Sequence, residues 1–421
     1  MKRQLCFLCV IFFFRIFSLN AQCPPGDITF LSQQEINDFA ATYPGCTVIS
    51  GNLTISGPDV NNVNGIGMLT SVAGDYVFEN NPVLTNIAGF YTPFTIGGNL
   101  RIENNDALTG TSNFSNFLTS IGGELRVIGN DALPFLPGFG TTTSIGGIHL
   151  ENNPALTDFG PFGDLAFAGN VSVTNNDALA GLNGLFGTTA VGGNLVVSEN
   201  NSLNTLFGLN SVTSTGGDFN LSGNAALPNL FGLGALTTVG GNCIIQANDL
   251  LTSFSGIGAL NTIGGVFDVQ YNNGLLNFWG LNSLTTHAGE FRIANNPALI
   301  GMAGLENLTS IGTLRIENND NITDLNGLDG VTSIGEFHIE GNQTLSSLSG
   351  PFFLTTVTIL RIYSNPGLTT LNGLSSVTSI GTLHIFDNAG ITNLFGLNGL
   401  SSLTNLTLER NPVLNNLNGI P

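Results

Sequence analysis

Ile334-Gly335-Glu336-Phe337-His338-Ile339-Glu340-Gly341-Asn342 is the stretch that decides the fold. From Gly335 onward apolar Phe337 and Ile339 alternate with Glu336, His338 and Glu340, the period of a short strand with one buried face. Before it, Ile322, Leu325, Leu328, Val331 and Ile334 recur every third residue. That spacing is too tight for a straight α-helix. With glycine and threonine between the apolar positions, it describes a chain bending repeatedly around a narrow core.

The same stretch recurs along the chain. Its central apolar residue returns at Leu53, Tyr76, Leu100, Leu125, Ile148, Val171, Leu195, Phe219, Cys243, Phe267, Phe291, Leu314, Phe337, Leu360, Leu383 and Leu406. These are sixteen copies, 23 to 25 residues apart, and no gap breaks the register. Coils of this kind stack their strands in parallel, each burying the apolar layer of the next, so the pattern predicts one solenoid domain over residues 48–421.

Two positions repeat with the strands. Five residues after the central position stands an asparagine in fifteen of the sixteen coils, among them Asn105, Asn153, Asn296, Asn319, Asn342 and Asn411. A buried amide there satisfies turn backbone groups in its own coil and the next, forming a ladder. Fifteen copies point to a structural role rather than a ligand site. Glycine recurs at 184, 208, 232, 256, 280, 304, 327, 350, 373, 396 and 419, where it supplies a positive φ or a close approach between coils. Cys243 takes an inward position held elsewhere by Leu or Phe and reads as a small core hydrophobe.

The amino terminus reads as a secretory leader over residues 1–21. Lys2 and Arg3 precede a short apolar run, Leu5 to Phe14, and Ala21 offers a small residue before cleavage. Gln22 is not the small residue that a lipid anchor on Cys23 would need. Cys6 and Cys9 fall inside the apolar run and carry no redox reading. In an exported chain Cys23 and Cys46 are the natural disulfide pair, closing a loop for a stabilisation of ~3 kcal/mol. The segment 22–47 then reads as a cap over the first coil. Ile28 to Phe30 is a strand, and Ser32-Gln33-Gln34-Glu35 is a capping box with Leu31 and Ile36 as a hydrophobic staple. Ile36, Phe39, Ala40 and Tyr43 line one face of a helix running to Pro44.

Cys23 and Cys46 around that helix, Ile49-Ser50-Gly51-Asn52-Leu53-Thr54-Ile55, and units such as Leu118-Thr119-Ser120-Ile121-Gly122-Gly123-Glu124-Leu125-Arg126-Val127 resemble the receptor L domain family. These are leucine-rich-like repeats of growth-factor and insulin receptor ectodomains and of many secreted bacterial proteins. The resemblance covers nearly all of residues 23–421. It implies a right-handed parallel β-helix that recognises proteins or ligands at cell surfaces, with no catalytic residues to carry over.

Composition narrows the chemistry. The chain carries a formal charge of −19, and its 28 acidic residues all lie beyond the leader, where six arginines and no lysine oppose them. Such a surface repels nucleic acid and anionic membrane. There is no P-loop or Schiff-base lysine, no H-E-x-x-H and no G-x-G-x-x-G. His149, His287, His338 and His384 stand at most one per coil, in no metal-ligand spacing. Neither a cofactor nor a catalytic or metal-binding set is expected.

The residue after each central position points out of the strand. That outward column holds Arg101, Arg126 and His149, then Arg292, Arg315, His338, Arg361 and His384, with glutamates at flanking positions. One reading is a solvated face whose charges neutralise one another. The sharper one is a recognition strip from Arg292 to His384 for an acidic or polar ligand. Phe207, Phe231 and Trp279 stand just before registered glycines. Packing against one another over those glycines is expected of them. The alternative is an exposed ridge for sugar rings or a partner's apolar patch.

The expectation is a non-enzymatic binding or adhesion module, secreted or held at a cell surface, recognising a protein or a carbohydrate through one face. A structural spacer is the alternative, and a glycan-directed enzyme a distant third because the outward face offers no evident cleft with paired carboxylates. The sequence ends at Asn418-Gly419-Ile420-Pro421, within a repeat. It is therefore expected to be part of a longer protein, or to have its last coil covered by a partner.

Overall fold

The computed structural model describes residues 23–420 apart from 90, 112, 113, 137, 140 and 141. The leader expected over residues 1–21 lies outside them. The described chain is a parallel β-solenoid of sixteen coils. Each repeated strand pairs in register with the same strand one coil away, as Phe337 does with Leu314 and Leu360. The three-residue period is a series of tight turns: the amide of Leu328 donates to the Leu325 carbonyl at 3.2 Å and that of Val331 to Leu328 at 3.0 Å. Ile322, Leu325, Leu328, Val331 and Ile334 are all buried, so one apolar stripe runs down the inside.

The coils are of two kinds. In those 24 residues long around Leu195 to Phe267 the strand is broken, as in Thr238–Val239 and Cys243–Gln246. In the later 23-residue coils it is continuous, as in Ser333–Glu340. A Gly-Gly-Asx segment makes the break. Asp218 Oδ1 accepts the Asn242 amide at 2.7 Å, and Asn194 Oδ1 accepts the Asp218 amide at 2.8 Å. A Cβ on Gly241 would lie 2.2 Å from Asp218 Oδ1, so a larger residue there would push that carboxylate off the Asn242 amide. The ladder register shifts between His287 and Glu290, where the two kinds of coil meet.

The asparagine column is buried through Asn388 and forms the expected ladder. Asn342 Nδ2 donates to Ile316 O in the preceding coil at 2.9 Å and to Glu340 O in its own at 3.1 Å, while its Oδ1 accepts the Asn319 amide at 2.9 Å. The first coil has Pro58 in place of asparagine, and the amide of Gly57 takes the bond to Asn81 Oδ1. The residue before each ladder asparagine is left-handed, with φ from 52° to 70°. Ten of the eleven registered glycines also have positive φ; the exception is Gly184, where a Cβ would fall 1.9 Å from the Phe159 ring.

At the amino end Ile28–Phe30 pairs with Leu53–Ile55, and the helix Gln33–Thr42 rests on the first coil; a Cβ on Gly65 would meet Ile36 O at 2.0 Å. Cys23 and Cys46 are disulfide-bonded. Ser32 Oγ accepts the Glu35 amide, and Glu35 returns a bond to the amide of Leu31. The expected staple does not form. Strand alternation turns Leu31 into solvent, 59% exposed, and Phe30 packs on Phe39 at 5.3 Å instead. Ala40 is likewise exposed rather than on the packed face, and the helix stops at Thr42, short of Pro44. At the other end Ser402–Glu409 pairs on one side only, and Leu406, Val413 and Leu417 are exposed.

Candidate binding face

The outward column is set by strand pairing, which aligns Arg292, Arg315, His338, Arg361 and His384 residue for residue. Each arginine in it meets glutamate. Arg292 pairs with Glu317 at 2.9 Å, and Arg361 pairs with Glu336. Arg315 reaches Glu290 at 3.2 Å, and Glu317 and Glu336 at 3.5 Å each. Burial works against the Arg292 charge, yet the Glu317 hydrogen bond holds its pKa above the ordinary value. The amino-terminal strip is built alike, with Arg101 on Glu103 at 2.7 Å, Arg126 on Glu124 at 3.3 Å and His149 on Glu151 at 2.6 Å. The Arg101 hydrogen bond lowers the Glu103 pKa.

His338 is nearly buried. Arg315 Nη1 lies 3.3 Å from its Nδ1, and because arginine only donates, Nδ1 accepts and Nε2–H donates to Glu340 at 2.7 Å. Glu317, His338 and Glu340 place one ligand atom each within 4.8 Å of one another. No linear metal motif announces this trio, since register rather than spacing assembles it. Two guanidiniums, of Arg292 and Arg315, already neutralise Glu317 and stand where a cation's charge would go.

His384 differs from the other outward histidines. Its Nδ1 meets the Tyr363 hydroxyl at 3.2 Å, and it has no carboxylate partner among the described residues. Along the flanking column the register runs Glu317, Glu340, Tyr363, Phe386, Glu409, so two rings interrupt a row of carboxylates. There the face opens into a groove of about 370 Å³ lined by Glu340, Tyr363, His384, Phe386, Thr407 and Glu409. Sequence reasoning picked out His384 and missed both aromatics; their alternation with Glu340 and Glu409 at coil spacing was the available signal.

Phe207, Phe231 and Trp279 do not pack against one another, correcting the expectation. They are 54%, 54% and 60% exposed, and no ring contact joins them to an aromatic among the described residues. The preceding residues, Leu206, Leu230 and Phe278, fill the interior and turn the next side chain outward. Phe207 and Phe231 border a shallow groove of about 690 Å³ floored by glycine and alanine. Cys243 is a free, buried thiol whose pKa burial holds far above the ordinary value, in keeping with a packing role.

No family model and no curated protein match the chain. Two solved structures are similar to it at low identity. One is a leucine-rich repeat protein from Bacteroides ovatus, 14% identical over 83% of this chain and 79% of that one, with a TM-score of 0.21. The other is the TLR13–ssRNA13 complex, 13% identical over 88% of this chain and 72% of that one, with a TM-score of 0.23. Likeness at this level assigns no face and no ligand. Among the described residues no helix is long and apolar enough to cross a membrane.

Proposed function

We propose that the chain is an extracellular, non-enzymatic binding module that recognises a protein or a glycan through the outward face of its sheet, in the coils from Phe291 to Leu406. The observation that carries this reading is the break in the flanking carboxylate row at Tyr363 and Phe386. There an otherwise self-neutralised face opens a groove beside His384. Export follows from the leader and is supported by the Cys23–Cys46 bridge. Kinship with receptor L domains, right-handed winding, a capping role for residues 22–47 and adhesion at a cell surface belong to the same proposal, and the resemblance of the repeat units supports them.

A glycan array and a surface-protein capture with the mature chain test it. The wild type captures a partner, and replacing Arg292, Arg315 and Arg361 by Ser weakens that capture by dismantling the face. Unchanged capture by the triple variant overturns the assignment of the face. The alternative is a structural spacer, favoured by the unbroken asparagine ladder; sixteen coils make a rod of roughly 75 Å. Capture of no partner, with length-dependent loss of function on deleting whole coils, would select it.

A further inference from the structure

We infer that the groove between Tyr363, His384 and Phe386 receives a cationic side chain, a guanidinium or ammonium group presented by a basic segment of a partner protein. The inference rests on reading this face as the binding surface and names the chemistry that its groove selects.

Three observations lead there. Register brackets two aromatic rings with Glu340 on one side and Glu409 on the other. Glu340 is engaged only by His338, and Glu409 has no ion pair among the described residues. A negative quadrupole face flanked by carboxylates is the pattern that attracts organic cations. Next, Tyr363 stands edge to face with both Phe386, at 6.0 Å and 75°, and His338, at 5.3 Å and 74°, so the rings are not stacked flat on one another and both stay half-exposed along the groove. Finally, the chain supplies its own example: the Arg410 guanidinium lies 5.1 Å from the centroid of Phe386. Arg410 lies outside the groove's lining, is 67% exposed and among the described residues is held otherwise only by Asp387 at 3.3 Å, so its charge opposes a second cation nearby. The formal charge of −19 draws cations to the face and repels acidic segments.

The probe is a capped Gly-Arg-Gly-Arg-Gly peptide titrated into the mature chain at low salt and followed by NMR or calorimetry. Its comparison is the same peptide with citrulline, which keeps the shape but puts a neutral urea in place of the charged guanidinium. The arginine peptide binds and the citrulline peptide binds at least about ten-fold more weakly. Phe386→Leu and Glu409→Gln each weaken binding by about two- to five-fold, and Arg410→Ser strengthens it by a similar factor. Glu409 is exposed, so its variant decides the matter should Phe386→Leu fail to fold.

Equal binding of the citrulline peptide, or binding indifferent to both Glu409→Gln and Arg410→Ser, overturns the proposal. So does an uncharged oligosaccharide that binds in the groove where the peptide does not. The face and the groove fail separately. Capture of a natural partner lost in the arginine triple variant but kept in Glu409→Gln sinks the groove alone. The expected peptide series with unaffected natural capture sinks the face alone.

Discussion

Asn224 Oδ1 accepts the backbone amide of Asn200, 24 residues earlier, at 3.2 Å, while its Nδ2 donates to Val197 O at 2.9 Å and to Ser222 O at 3.1 Å. One side chain thus serves backbone groups in its own coil and in the coil before. Asn224→Ala strips the buried Asn200 amide of its acceptor and takes a donor from the Val197 carbonyl, while the Ser222 carbonyl keeps the Glu199 amide at 2.8 Å, and it costs about 3 kcal/mol. Asn411→Ala, in a half-exposed rung of the last coil, costs about 1 kcal/mol because water replaces the amide. Urea denaturation compares the two; equal losses would show that the ladder's burial is not what matters.

Glycine matters by position. Gly256 has φ +114°, and a Cβ there would lie 2.3 Å from the Leu230 carbonyl carbon. Gly256→Ala therefore destabilises by about 3 kcal/mol or more. At Gly234 the nearest atom to a Cβ is 3.9 Å away, so Gly234→Ala is neutral or stabilising by about 0.5 kcal/mol. Thermal melts of the pair check this, and similar shifts in both would refute the account of close coil approach.

His287 occupies a core position with its Nδ1 lacking a hydrogen bond and its Nε2 3.0 Å from Glu290 O. Burial lowers its pKa below 6.5, against the opposing effect of the Glu290 carbonyl. Above pH 6.5 both folded and unfolded chains hold the ring neutral. As pH falls below that value the unfolded chain takes up a proton that the folded chain resists, so stability declines. His287→Leu removes this contribution, and its stability relative to wild type rises between pH 7.5 and 5. Parallel pH profiles for the two proteins would contradict it.

Trp279 is the only tryptophan in the chain and is 60% exposed. Acrylamide quenches its fluorescence in the native state nearly as well as in the unfolded chain. A protected, blue-shifted emission would mean that the ridge is covered.

What the sequence made legible follows from what repeats. The strand positions, the asparagine ladder and the registered glycines each recur at coil spacing, and recurrence averages away local ambiguity. The second ladder, of Asp75, Asn99, Asn194, Asp218 and Asn242, also recurs at coil spacing but was hidden because Asp and Asn exchange in it and other residues replace them in the remaining coils. The left-handed residue before each ladder asparagine was masked by Glu199, Ala247 and Tyr271, which adopt φ near 55° without the composition that announces it. Pairings such as His338 beside Glu317, within 4.8 Å, or Tyr363 hydrogen-bonded to His384 join residues 21 apart, and only the register of neighbouring coils reveals them. The staple and the aromatic packing went the other way: apolar character suggested burial, but strand and turn geometry had already assigned those side chains outward.

The ladder also sets how the molecule yields to force. Each asparagine is gripped by the backbone on both sides, so an inner coil is released only after its neighbour has left. Tension along the axis strips coils in order from an end, each yielding 23 to 25 residues, about 80 Å of extended chain. Pulled from its two ends, the solenoid lengthens in nearly even steps.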